Sequence, residues 1–179
     1  MEKSYKKCCF TGHRPKSLPW GYNDKDIRCV SFKAKLKEIL LKAIDKGYNF
    51  FISGMAEGLD TYALEVLLEI KDAHKKNKLP LDIIIEGAIP CLDQDKKWSA
   101  SAQGKYKELL SKLDKKTIIS ESYTATCMID RNNYMLSQTE LVIACYSSGY
   151  GGTYSTIAKA KKQGKKLIII NPYTLEVSK

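Results

Sequence analysis

Three glycine-bearing turns of the chain could bring backbone N–H groups to a bound phosphate, since each follows a short apolar run. They are "FTGHRP" (Phe10–Pro15), "ISGMAEGLD" (Ile52–Asp60) and "SSGYGGTYST" (Ser147–Thr156). Glycine lets an anion approach the backbone closely, and a helix that begins after such a turn adds free N–H groups and its dipole. The chemistry that this pattern indicates is the binding of a phosphate.

The first turn displays two side chains at the end of its apolar run. Thr11 and Gly12 form a short turn with exposed backbone, and Pro15 discourages Arg14 from continuing a helix. His13 and Arg14 are therefore displayed there, and the planar guanidinium fork of an arginine suits a phosphate. The alternative interpretation is an ordinary turn with a surface arginine.

The second turn leads directly into a helical pattern. Ser53 and Gly54 bring backbone N–H groups within reach, and Gly58 opens the helix, whose N-terminus attracts anions. Asp60 follows in the first turn of that helix. It either caps the free N–H groups or recognises a ribose, and the sequence leaves both roles open.

The third turn has the most glycine. Gly149, Gly151 and Gly152 let the backbone approach a phosphate, while Thr153 can cap the helix and add a hydroxyl donor. The turn is neither a Walker A loop, because no Lys-Ser/Thr pair follows at the right spacing, nor GxGxxG. This turn supports phosphate binding mainly by its position, because it is the third glycine-bearing turn at a strand end of one predicted sheet.

A polar stretch late in the chain supplies a second candidate arginine. The segment "MIDRNNYM" (Met128–Met135) places Arg131 and Asn132 on or just before a helix. Polar residues interrupt an otherwise apolar pattern there. Arg131 therefore either points into the cleft or is solvated.

The elements that must position these residues alternate along the chain. Six short apolar runs have the length and β-branched content of buried strands: "KCCFTG", "FFISG", "DIIIEGAI", "TIIS", "LVIACY" and "KLIIIN". Helical patterns separate them, among them Gln103–Leu113, Thr126–Ser137 and Thr153–Gln163. This alternation predicts one Rossmann-like, doubly wound α/β domain over residues 1–179. Its mostly parallel sheet has about six strands, with helices on both faces. Ligands of such sheets bind at the carboxyl ends of the strands, where the chain order reverses.

Composition limits the partners. The net charge of +10 favours anionic partners, although many of the lysines lie in segments typical of solvated helix faces. No apolar run approaches the roughly 18–20 residues that cross a bilayer, so we expect no membrane contact. The six cysteines are dispersed and the two histidines lie far apart, which argues against a disulfide framework and a zinc site. We expect a cytoplasmic protein without a metal or cofactor, and we interpret Cys91, after the third apolar run, as structural.

The three motifs, in this order and at this spacing, resemble the SLOG superfamily of Rossmann-like proteins, and within it the YpsA-like branch. The resemblance runs from Cys9 to Pro172 and includes the stretch from Asp130 that ends in the third turn and the last apolar run. More distant relatives are the DNA-processing protein of natural transformation and the cytokinin-activating phosphoribohydrolases. The resemblance implies a pocket for a nucleotide-derived ligand, such as the NAD-derived or cyclic nucleotide signals that some SLOG domains sense in phage defence.

The resemblance and the turns together define the expected ligand-binding residues. They are Thr11, Gly12, His13, Arg14, Ser53, Gly54, Met55, Ala56, Gly58, Asp60, Arg131, Asn132, Ser147, Gly151, Gly152 and Thr153. We also expect a homo-oligomer, either a dimer or a higher assembly.

One departure from the phosphoribohydrolase pattern bears on catalysis. That family places a carboxylate two or three positions after its Gly-Thr, whereas Gly152-Thr153 is followed by Tyr154, Ser155, Thr156 and Ile157. A carboxylate stabilises the cationic state through which an N-glycosidic bond breaks. We therefore expect binding without turnover. The alternatives are an N-ribosyl or phosphoribosyl hydrolase that uses Glu57 or Asp60, and a protein that binds single-stranded DNA.

Overall fold

All six apolar runs form strands of one sheet in the computed structural model, which describes residues 5–179. The strands are β1 (Lys6–Gly12), β2 (Tyr48–Ser53), β3 (Ile84–Ile89), β4 (Lys115–Ile118), β5 (Leu141–Cys145), β6 (Lys166–Ile170) and β7 (Val177–Ser178). The helices are α1 (Ile27–Asp45), α2 (Leu59–Lys76), α3 (Ala100–Ser111), α4 (Cys127–Gln138) and α5 (Gly152–Lys162). The predicted α/β class is confirmed.

The order of strands across the sheet is β4-β3-β2-β1-β5-β6-β7. The first six strands of the chain run parallel, and β1 lies beside β5, with Gly12 opposite Cys145. Strands β2, β3 and β4 follow β1 in order on one side of the sheet, and β6 and β7 follow β5 on the other side. The order therefore reverses between β1 and β5, and a crevice opens at their carboxyl ends.

The seventh strand was not predicted. Val177 and Ser178 pair antiparallel with Ile170 and Ile169 at the edge of the sheet, and both are exposed. A strand of two residues without an apolar run leaves no periodic signal. The predicted third helix also begins earlier than expected, because the Ser99 hydroxyl accepts a hydrogen bond from the Ala102 N–H at 3.2 Å and caps α3.

The two faces of the sheet bury different clusters. Side chains of successive strand residues point to opposite faces, so Phe10 and Phe51 join the larger cluster under α1, α2 and α3. Cys9 and Ile52 join the smaller cluster under α4 and α5. Helices thus cover both faces of the sheet, and a ligand can approach it at the ends of the strands.

Among residues 5–179, no helix has the length and apolar character needed to span a membrane.

Gly58 precedes α2 in a conformation that only glycine adopts readily. Its φ is +101°, and a Cβ there would lie 2.4 Å from the carbonyl oxygen of His13. Gly58→Ala should therefore lower the free energy of unfolding by about 2 kcal/mol, measured by urea denaturation.

Gly104 provides the matched control, since it lies inside α3 and a Cβ added there would meet nothing within 4 Å. Gly104→Ala should raise the free energy of unfolding by roughly 0.5–1 kcal/mol, the helix preference of alanine over glycine. Equal effects of the two substitutions would contradict the proposed contact at Gly58.

Candidate functional site

A cavity of about 350 Å³ opens at the carboxyl ends of β1 and β5. It lies at the point where the strand order reverses, and its walls come from the turn after β1, the helices α2 and α4, and the glycine turn before α5. The predicted ligand-binding residues that line it are Thr11, Gly12, His13, Arg14, Ala56, Asp60, Arg131, Asn132, Gly151, Gly152 and Thr153. The crevice therefore brings together residues from all three glycine-bearing turns.

The N-terminus of α5 forms one wall of this cavity. Gly151 occupies the N-cap position, and no side chain caps the helix. A Cβ at Gly149, Gly151 or Gly152 would meet nothing within 4 Å, so the backbone there is open to the cavity. The first N–H groups of α5 and the positive end of its dipole are thus available to an anion.

Two cationic side chains line the same cavity as the glycine turn. Arg14 and Lys16 both line the cavity, and both are exposed. Neither forms an ion pair with any residue between 5 and 179. Neither charge is therefore neutralised by an ion pair, although burial raises the pKa of Glu57 and the Arg14 charge acts to lower it. Lys16 is a residue that the sequence reasoning missed.

His13 joins the first turn to the third. Its backbone N–H donates to the carbonyl oxygen of Cys145 at 3.1 Å, and its Nε2 accepts from the Ser147 N–H at 3.1 Å. The accepting Nε2 places the ring proton on Nδ1 in a neutral imidazole. Burial lowers the pKa of His13 below its ordinary value of 6.5. His13 thereby holds the start of the glycine turn in place.

Arg131 belongs to a buried network and is not a solvated side chain. Its guanidinium donates to the Gly54 carbonyl oxygen and, through Nε, to Asn132 Oδ1 at 2.8 Å. It also lies 3.9 Å from Asp60 Oδ2, which accepts from the Ala56 N–H at 3.2 Å. Burial raises the pKa of Asp60 and lowers the pKa of Arg131, while each charge opposes the shift of the other. Both residues are buried, although both also line the cavity.

The remaining predicted residues of the second turn lie behind the cavity. The Ser53 hydroxyl donates to the Asp60 carbonyl oxygen at 3.1 Å and accepts from the Met55 N–H at 3.1 Å. Met55 is buried with a left-handed φ of 59°, and its carbonyl oxygen accepts from Gln94 Nε2 at 3.1 Å. Ser53, Gly54, Met55, Gly58 and Ser147 thus do not line the cavity and instead fix the turns that do.

Three tyrosines at the cavity were not among the predicted residues. The ring centroids of Tyr146 and Tyr154 are 6.4 Å apart, and those of Tyr150 and Tyr154 are 5.1 Å apart. Tyr150 is 93% exposed, so its ring offers a face to a planar ligand. All three tyrosines lie within or beside "SSGYGGTYST", and this proximity to the glycine turn could have predicted their place at the cavity.

The residues considered for catalysis lie elsewhere or are constrained. Glu57 lines a separate cleft of about 240 Å³ together with Gly58, and partial burial raises the pKa of Glu57. Burial also raises the pKa of the Cys91 thiol to about 11, which fits the predicted structural role. Within residues 5–179, no three His, Cys, Asp or Glu side chains cluster to hold a metal ion.

The sheet order and the crevice between β1 and β5 define a Rossmann-like α/β fold. The sequence profile of the YspA SLOG family matches residues 8–175, and the chain belongs to this family. It is 30% identical over 153 residues to the SPbeta prophage-derived protein YoqJ of Bacillus subtilis, covering 77% of this chain and 85% of YoqJ. It is 22% identical over 174 residues to a UPF0398 protein of Halalkalibacterium halodurans, covering 93% and 88% of the two chains.

Two solved structures share the fold. DNA processing protein A of Streptococcus pneumoniae superposes with a TM-score of 0.61 at 14% identity, covering 93% of this chain and 50% of that one. The single-stranded-DNA-binding DNA processing protein A of Helicobacter pylori superposes with a TM-score of 0.56 at 18% identity, covering 93% and 65%. This chain thus spans half to two thirds of the length of these proteins.

The hydrogen bond between the Ser147 N–H and His13 Nε2 predicts that the stability of the fold depends on pH. Because the folded state lowers the pKa of His13, the neutral ring stabilises the fold above pH 6.5, and that contribution is lost as pH falls through the lowered pKa. The melting temperature should therefore drop more for the wild type than for His13→Gln between about pH 7 and pH 5.

The other histidine of the chain supplies the control. His74→Gln should keep the wild-type difference between the two pH values, since His13 is intact. An equal drop in the wild type and in His13→Gln would show that protonation of His13 does not weaken the turn.

Proposed function

We propose that the cavity between β1 and β5 binds the phosphate of a nucleotide-derived ligand. The observation that carries this proposal is the uncapped, glycine-open N-terminus of α5, which lines the same cavity as the cations Arg14 and Lys16. A phosphate there would accept from backbone N–H groups and complement the helix dipole. The arginine fork would add charge-assisted hydrogen bonds.

The rest of the cavity suits the remainder of a nucleotide. Its volume of about 350 Å³ lies at the small end of the roughly 300–1,000 Å³ typical of ligand pockets. Tyr146, Tyr150 and Tyr154 offer rings on which a base can stack. Asn132 also lines the cavity, and its side-chain amide could meet a ribose hydroxyl. A mononucleotide or an NAD-derived or cyclic nucleotide fits this arrangement.

Sensing or sequestration accounts for the site better than turnover. Asp60 is already bound to the Ala56 N–H and lies near Arg131, and Glu57 opens onto a different cleft. No carboxylate among the described residues of the cavity is therefore free to stabilise a cationic sugar. The ligand we propose is a signal of phage defence, a setting that fits the prophage origin of the relative YoqJ. The homo-oligomer stays a prediction.

Arg14→Ala should weaken nucleotide binding by about tenfold or more, the effect of losing charged hydrogen bonds to a phosphate. Calorimetry against AMP, ADP-ribose, NAD and cyclic dinucleotides measures it. Arg28→Ala is the matched control, because Arg28 is exposed, pairs with Asp26 and does not line the cavity.

Two substitutions at Gly152 distinguish the effect of an added negative charge on nucleotide binding from the effect of an added side chain. Gly152→Asp puts a carboxylate at the N-terminus of α5 and should abolish binding, while Gly152→Ala fills open space and should change affinity only a few-fold. If both Arg14→Ala and Gly152→Asp bind the nucleotide with wild-type affinity, the proposed site is wrong.

The absence of a free carboxylate predicts that bound ligands are recovered intact. Mass spectrometry after long incubation of the wild type with AMP or NAD should detect no free base. Release of base that disappears in Glu57→Gln or in Asp60→Asn would reverse this conclusion and favour an N-ribosyl hydrolase.

A second candidate function is the binding of single-stranded DNA. It is favoured by the net charge of +10 and by the fold shared with the DNA processing protein A that binds single-stranded DNA in Helicobacter pylori. The cavity at the carboxyl ends of the strands has a volume of about 350 Å³, so a strand of many nucleotides requires a different surface.

A further inference from the structure

A large groove lies at the opposite edge of the sheet from the cavity between β1 and β5. It runs between α1 and the amino ends of β1, β5 and β6, with β7 at its rim, and its volume is about 1100 Å³. This exceeds the roughly 300–1,000 Å³ of small-molecule pockets. The groove, called here the lysine groove, is sized for an extended ligand.

The lining of the lysine groove is strongly cationic. Eight lysines line it, among them Lys6, Lys46, Lys161, Lys165, Lys166 and Lys179, and Glu38 is the one acidic residue in its described lining. Glu38 already pairs with Lys35 at 2.9 Å and with Lys42 at 2.6 Å. An anionic occupant would therefore meet several positive charges and no unpaired acidic side chain in the described lining.

Four of these lysines have no acidic partner. Within residues 5–179, no ion pair involves Lys46, Lys161, Lys166 or Lys179. They come from the end of α1, the last turn of α5, the start of β6 and the end of the chain. Their charges thus converge on the groove from separate elements.

A buried hydroxyl in the groove lacks a hydrogen-bond partner. Tyr48 lines the groove and is only 4% exposed, and its hydroxyl has no partner among the described residues. Burying a hydroxyl without a partner destabilises a fold, so such groups are expected to meet a ligand or water. Lys6 Nζ lies 5.7 Å from the centre of the Tyr48 ring, which brings a cation beside the same position.

The chemistry of the groove fits a single-stranded nucleic acid. The cations in the described lining are all lysines, which bind a phosphate as point charges. Its lining also includes the buried Ile39 and Leu167 and the half-buried Ile168, so its base is apolar. Proteins that bind single strands combine a basic groove for the backbone with surfaces for the bases.

We infer that the lysine groove binds the phosphate backbone of a single-stranded nucleic acid, independently of the nucleotide cavity at the other edge of the sheet. This inference rests on the second candidate function and gives it a location. Lys161 and Lys166 contact phosphates, and the Tyr48 hydroxyl donates to the strand.

The test measures fluorescence anisotropy of a labelled thymidine oligomer of about 15 nucleotides, near the roughly 4–16 nucleotides that single-strand binding folds cover. The double variant Lys161→Glu, Lys166→Glu should weaken binding about tenfold or more. It should also reduce the salt dependence of log K by about 1.4, or about 0.7 for each lost phosphate contact.

The matched control is Lys75→Glu, Lys76→Glu, which makes the same change in net charge. These two lysines are exposed in the last turn of α2 and do not line the groove. The control should bind the oligomer within about twofold of the wild type, apart from the general effect of net charge. Tyr48→Phe should lose about threefold to tenfold in affinity, the value of one hydrogen bond, without a lower melting temperature.

The outcomes separate this inference from the proposed nucleotide site. Oligomer binding that falls in the groove variants and persists in Arg14→Ala supports the lysine groove. Binding that falls only in Arg14→Ala overturns the location and moves the strand to the nucleotide cavity. No binding by the wild type overturns the second candidate function and this inference together, while nucleotide calorimetry still tests the cavity. Tighter binding of a labelled polyglutamate peptide, lost in the same groove variants, would assign the groove to an acidic protein.

Discussion

The buried contact between Arg131 and Asp60 is the constraint on which the geometry of the candidate site depends. The two side chains are 6% and 8% exposed and join α4 to α2, while the Gly54 carbonyl oxygen adds the turn after β2. Removing one partner of a buried pair costs about 3–5 kcal/mol, because the other charge stays unpaired in a medium of low polarity. The loss of hydration of both charges offsets most of their attraction, so the pair itself gives little net stability, yet it holds three separate segments in one arrangement.

That arrangement determines which groups are free for a ligand. The Arg131 guanidinium is engaged by Gly54, Asn132 and Asp60, so it cannot act as the exposed phosphate clamp. Arg14 has no such partner among residues 5–179 and stands at the mouth of the cavity. A rigid inner pair with a free outer cation allows a phosphate to bind without rearranging the fold, which limits the entropic cost of binding.

The six parallel strands and the places of the three turns could be predicted from the sequence, because apolar runs and glycines report burial and turns locally. The sequence could not distinguish the roles of Arg14 and Arg131, since these depend on contacts such as that between Arg131 and Gly54, 77 residues apart. The sequence also did not reveal the lysine groove. Its lysines belong to helix and strand ends that look solvated one at a time, and only the parallel pairing of β1, β5 and β6 gathers them.

The polarity of a parallel sheet gives its two edges different chemistry. At the carboxyl edge the helices begin, so the positive ends of their dipoles and the open backbone before α5 can bind an anion with few side chains. At the amino edge the helices end, and their negative ends favour the lysines found in the last turns of α1, α2 and α5. Helix ends alone would explain Lys75 and Lys76, but not Lys6, Lys166 and Lys179, which lie on strands or after them. The positive charge around the lysine groove thus exceeds what helix ends explain, and this excess favours an anionic partner there.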